Sequence, residues 1–136
     1  MGDEAGPLAL TAAALPESLD AVHDLLARLW ESAPSTDDTH RMRFETAVAE
    51  IAGNIVTHGR ASGTRTFSLA VTIREGLLEA RFKDDGSKQN LDMLTASLPG
   101  DLAESGRGLA IASALLDELH YRREPGENTW HLAVRL

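Results

Sequence analysis

Two hydrophobic periods alternate along this chain. Leu19, Val22, Leu25, Leu26, Leu29 and Trp30 recur at three- and four-residue steps, which predicts an amphipathic helix over 16–32. Pro16 stands at its first position and acids occupy its first turn, both start signals. A second stripe of Phe44, Ala47, Val48, Ile51 and Ile55 predicts a helix over 39–58, with Gly59 and Gly63 placed to stop it.

The period then drops to two. Phe67, Leu69, Val71 and Ile73 alternate with Ser and Thr over 65–73, a half-buried strand, and "LLEARFKD" (77–84) follows as its hairpin partner. "LALTAAAL" (8–15) reads as an earlier strand. A long polar stretch after residue 84 carries little periodicity, as functional loops commonly do. "GLAIASALLDEL" (108–119) predicts a third helix opening at a glycine cluster. "LHYRRE" and "NTWHLAVRL" predict two last strands joined by a "PGE" turn. The order β-α-α-β-β-loop-α-β-β predicts an α+β fold: a two-layer sandwich with a mixed, mostly antiparallel sheet and three helices on one face. Residues 1–7 are expected as a flexible leader and 8–136 as a single domain.

Composition narrows the function classes. The chain has 136 residues, 43% of them hydrophobic and only 4% aromatic, so its core must be built from Ala, Leu, Val and Ile. It contains no cysteine, which excludes disulfides, Cys-ligated zinc and thiol catalysis, and fits a reducing cytoplasm. No apolar run approaches the roughly 20 residues of a membrane span, and the acidic N-terminus does not read as a secretion signal. A net charge of −8 argues against a direct nucleic-acid partner. A nucleotide held by backbone amides and a metal ion remains compatible with that charge, as does a partner protein with a basic surface.

Four segments carry candidate chemistry. Glu50, Asn54 and His58 recur every four residues, so they share one helical face beside the apolar stripe. They read either as a solvated hydrogen-bond ladder or as an acid that accepts a proton next to an amide oxygen that binds a hard cation. "KDDGS" follows a strand; it is either a plain Asp-Gly turn or a strand-end Asp84 facing an exocyclic amine, with Gly86 admitting a flat ring. "ESGRGLAIA" places Gly106, Arg107 and Gly108 at the expected start of a helix, where free N–H groups suit a phosphate. It is neither a Walker A loop nor a Rossmann fingerprint. Thr129 in the last strand is by itself an ordinary strand residue.

In this order the segments resemble the N, G1 and G2 boxes of the GHKL (Bergerat-fold) ATP-binding domains. The short domain and "GRGLAIASALLDELHY" resemble the RsbW/SpoIIAB branch, whose members are anti-sigma factors and serine-protein kinases of bacterial partner switching. The resemblance implies ATP/ADP and Mg²⁺ as cofactors. It implies Glu50 as general base, Asn54 as the Mg²⁺ ligand, His58 closing the N box, and Asp84 with Gly86 at adenine. Asp85 takes the variable position between them. Gly106, Arg107 and Gly108 fall at the phosphates and Thr129 near the adenine aspartate, although the glycine expected before that threonine is displaced to Gly126. The second glycine of a D-x-G-x-G box is also missing, and the segment between Gly86 and Gly106 is the expected lid.

The partners so implied are a STAS-domain anti-anti-sigma protein that receives phosphate on serine, a sigma factor and a second copy of the chain. No membrane is implied, and the expected location is the cytoplasm. The expected unit is a stand-alone module rather than a complete sensor kinase. Two rival readings use the same residues: a nucleotide-binding sequestering (anti-sigma) module with little kinase activity, and an interaction scaffold whose ATP site has decayed.

Overall fold

The computed structural model describes residues 4–87 and 101–136, without the side chains of 58–62 and 101–106. Among these residues the elements are β1 (Ala5–Ala13), α1 (Ser18–Ser32), α2 (Asp38–Ser62), β2 (Thr66–Arg74), β3 (Leu77–Asp84), α3 (Asp101–Leu115), β4 (Glu118–Glu124) and β5 (Glu127–Arg135). The strands form one sheet in the order β1-β2-β3-β5-β4. Every pairing among the described residues is antiparallel, so the sheet they form is not mixed. The expected α+β sandwich is the architecture found.

The period-two residues explain the sheet's inner face. Phe67, Leu69, Val71 and Ile73 of β2 are buried, as are Leu78, Ala80 and Phe82 of β3 and Trp130, Leu132 and Val134 of β5. Directly paired residues point to the same side of a sheet, so register aligns these side chains into one apolar floor. Leu25, Leu26 and Leu29 of α1 and Phe44, Ile51 and Ile55 of α2 close over it. Removing the larger of these side chains costs about 2–5 kcal/mol apiece.

Three boundaries differ from the sequence reading. First, β1 begins at Ala5 inside the expected leader, with an irregular register between Ala5 and Leu8. Second, α2 runs past Gly59 to Ser62 and ends where Gly63 takes a φ of 78°; a left-handed residue terminates a helix, and glycine adopts it without steric cost. Third, α3 begins at Asp101, seven residues before the expected start, and stops at Leu115. Glycine costs a helix only about 1 kcal/mol, and Asp101 with Glu104 supplies a start signal of its own. Most of the expected lid, residues 88–100, lies outside the described residues.

Two contacts set α3 antiparallel along α2. Arg43 Nε donates to the carbonyl of Leu115 at 2.9 Å, and Glu50 lies against Gly108 at the other end. A cation at the last carbonyls of a helix is favoured by the helix dipole. This pairing brings the polar face of α2 to α3.

Candidate functional site

Asn54 is buried among apolar neighbours on α2, at 7% exposure. Neither its Oδ1 nor its Nδ2 has a hydrogen-bond partner among the described residues. A buried amide left in that state costs about 1–3 kcal/mol, so it calls for a ligand that the described residues do not supply. The solvated-ladder reading of this face fails at Asn54, which is not solvated. One turn earlier, Glu50 is partly exposed. A β-carbon built on Gly108 would lie 2.6 Å from Glu50 Oε2, so the glycine makes the room this carboxylate uses. Glu50 and Gly108 thus meet at the α2–α3 seam, and Asn54 follows one turn along the same face of α2. His58 lies further along α2, and its side chain is outside the described residues.

Asp84 ends β3 on the inner face, at 4% exposure. Its Oδ1 accepts from the Gly86 N–H at 2.9 Å and from Asn128 Nδ2 at 2.9 Å. Its Oδ2 accepts from Trp130 Nε1 at 3.2 Å. Gly86 therefore acts here through its backbone, turning the chain back onto the carboxylate. Asp85 points elsewhere: its Oδ1 accepts from the backbone N–H of Arg65 at 2.8 Å and of Thr66 at 3.2 Å. Burial pushes the Asp85 carboxyl up, but the N–H groups of Arg65, Thr66 and Asp85 itself, together with the Arg65 charge, outweigh it and hold the group below the usual carboxylate range.

Two expectations are corrected here. Thr129 does not reach Asp84. It pairs with Lys83 on the outer face, while Asn128 pairs with Asp84 on the inner one. One residue along a strand reverses the face, and the buried alternation of Trp130, Leu132 and Val134 already marks Asn128 as inward. The second correction concerns Gly106 and Gly108. They lie inside α3 rather than at its N-terminus, so their N–H groups fall within the span of the helix's own hydrogen bonds and are not the free donors of a helix start. What remains at Gly108 is the close approach a missing side chain permits. Arg107 beside it is exposed.

Sequence reasoning missed Asn128, Trp130 and two residues of β4. Tyr121 OH donates to Asn128 Oδ1. Arg123 Nη1 donates to the same oxygen at 3.2 Å and also to the carbonyl of Gly86. Their alignment follows from the Pro125–Gly126 turn, where Gly126 takes a φ of 76° and returns the chain as β5.

The donor set suits a hard cation that arrives with a nucleotide. Among the described residues no three His, Asp or Glu side chains converge as a metal cage. Asn54 offers one amide oxygen, and Mg²⁺ commonly takes a few protein oxygens together with phosphates and water. No helix among the described residues is long and apolar enough to cross a membrane.

Comparison with known proteins supplies the context. The sequence profile described as "Histidine kinase-like ATPase domain" matches residues 12–133. Among solved structures the chain is similar to the crystal structure of the RsbU and RsbW domains of Rv1364c from Mycobacterium tuberculosis, with a TM-score of 0.69 and 24% identity. That match covers 97% of this chain and 33% of the other, so this chain spans about a third of that protein's length, and the likeness is one of fold. No curated protein matches the chain.

Proposed function

The chain belongs to the histidine kinase-like ATPase domain family, and from that premise we propose that it is an ATP- and Mg²⁺-dependent serine-protein kinase and anti-sigma-type regulator of bacterial partner switching. The observation that carries the reading is the buried, unpartnered amide of Asn54, one helical turn from the Glu50 carboxylate that packs on Gly108.

Asn54 Oδ1 is the protein oxygen that would hold Mg²⁺, and the bound ion would neutralise phosphate charge. Asp84 accepts from the exocyclic amine of adenine, and Gly86 admits the ring. Gly106 and Gly108 lie at the phosphates, Gly108 also leaving room for the Glu50 carboxylate, and Arg107 adds a charge-assisted contact. His58 closes the polar face of α2. Glu50 accepts the proton of an incoming serine hydroxyl. The serine Oγ–P bond then forms, the bond from the γ-phosphorus to the ADP oxygen breaks, and ADP leaves. In such transfers positioning and electrostatics dominate. The serine belongs to a STAS-domain antagonist. Its phosphorylation adds roughly −1.5 to −2 charges, which a protein of net charge −8 repels. Release frees the module for a sigma factor in the cytoplasm.

A second reading has its own observation. Because α3 encloses Gly106 and Gly108, phosphates meet fewer free N–H donors than a helix start would offer. This favours nucleotide-gated sequestration with slow or no transfer. Labelled Mg-ATP, incubated with a STAS-domain protein, separates the two. Phosphoserine that disappears in Glu50→Ala supports the kinase. Nucleotide binding with no transfer, and Glu50→Ala still sequestering its partner, supports the second reading.

A further inference from the structure

Asn128 sits at 0% exposure between two strands and two kinds of partner. Its Oδ1 receives Tyr121 OH and Arg123 Nη1, both from β4. Its Nδ2 donates to Asp84 Oδ1 at 2.9 Å, to the Ser87 carbonyl at 2.9 Å, and at 3.4 Å to that of Gly86. An amide has one donating and one accepting end, and two donors at its oxygen leave only one orientation. Rotating it by half a turn would set Oδ1 against Asp84 and its NH₂ against Tyr121 and Arg123. Tyr121 and Arg123 therefore decide which end of Asn128 meets Asp84.

The consequence lies on Asp84. A carboxylate offers about four lone-pair positions. Gly86 N–H, Asn128 Nδ2 and Trp130 Nε1 occupy three. Each of these partners donates, so the remaining position on Oδ2 accepts, and it suits a base bearing an amine rather than a carbonyl. Arg123 also holds the Gly86 carbonyl, fixing the turn whose N–H reaches Asp84.

We propose that Tyr121 and Arg123, acting through Asn128, are positioning residues that set this chain's selectivity for a 6-amino purine. The inference rests on the nucleotide-binding reading above. Neither residue touches the base; they hold the acceptor that does.

The test compares Mg-ATP with Mg-purine riboside triphosphate, which lacks the 6-amine, by calorimetric titration. The wild type is expected to prefer ATP by about tenfold or more, the range of a hydrogen bond to a charged group. Tyr121→Phe keeps the ring packed on Trp130, whose centroid lies 4.7 Å away, and removes only the hydroxyl. Arg123→Met removes the guanidinium. Each variant is expected to weaken ATP several-fold and together about tenfold, while purine riboside triphosphate binds as in the wild type. Equal weakening of both nucleotides would make the role merely structural and overturn the inference, as would an undiminished preference in the double variant. A wild type that binds both nucleotides equally also overturns it while leaving nucleotide binding intact. A wild type that binds neither instead removes the reading beneath it.

Discussion

The carboxylate of Glu50 occupies space that a β-carbon on Gly108 would need, with Oε2 2.6 Å from the place of that carbon. A carboxylate can approach a helix backbone this closely only where the helix presents no side chain at that position.

Gly108→Ala follows from that contact. Alanine favours a helix by about 0.5–1 kcal/mol over glycine, and the atom it meets is the movable end of a side chain. The folded protein is expected to be as stable as the wild type or slightly more so in urea unfolding. Phosphoryl transfer is expected to fall about 100-fold, the scale of a displaced general base, with a smaller loss in ATP affinity. Wild-type transfer in this variant would remove Glu50 from the chemistry.

Asn54 separates stability from function. Its amide is buried without a partner, so Asn54→Leu, similar in size, removes an unsatisfied group. The nucleotide-free variant is expected to gain about 1–2 kcal/mol, read from the urea midpoint, and to lose Mg²⁺-dependent ATP binding. A destabilised variant would mean that the amide has a partner in solution.

Asp85 ties the end of β3 to the start of β2 through the N–H groups of Arg65 and Thr66. Its carboxyl is held below the ordinary carboxylate value, so the charged form stabilises the fold above that value. The contribution is lost as pH falls through the folded value. Wild type is expected to exceed Asp85→Asn in stability at pH 7, and the gap is expected to close on acidification below about pH 4. Urea midpoints at several pH values check this; a gap independent of pH would contradict it.

Much of this fold could be read in the sequence because burial and period agree. Strand β3 was expected at 77–84 and is found at Leu77–Asp84. Its inward residues alternate strictly, and Asp84 falls on the inward beat. The face holding Glu50 and Asn54 was legible for the same reason, being set by helical spacing alone. The start of α3 was not. Gly106 and Gly108 suggested a boundary, whereas the signal at Asp101 lay in a stretch without hydrophobic period. Family likeness points to Thr129, whereas the strand's own alternation marks Asn128 as inward. Tyr121 and Arg123 escaped for a deeper reason: Arg123 meets Gly86 from 37 positions away, and only the register of β4 on β5 and β5 on β3 brings them together. Local pattern places elements, while a hydrogen-bond network between strands depends on the assembled sheet.

The polar face of α2 is proposed as a Mg-ATP site. Calorimetric titration of ATP into the wild type and Asn54→Ala, each with Mg²⁺ and with the ion chelated, tests it most directly. The wild type is expected to bind, and binding to weaken sharply both on chelation and in Asn54→Ala. A wild type that binds no ATP, or binds it equally well without the ion and without the Asn54 amide, would contradict it.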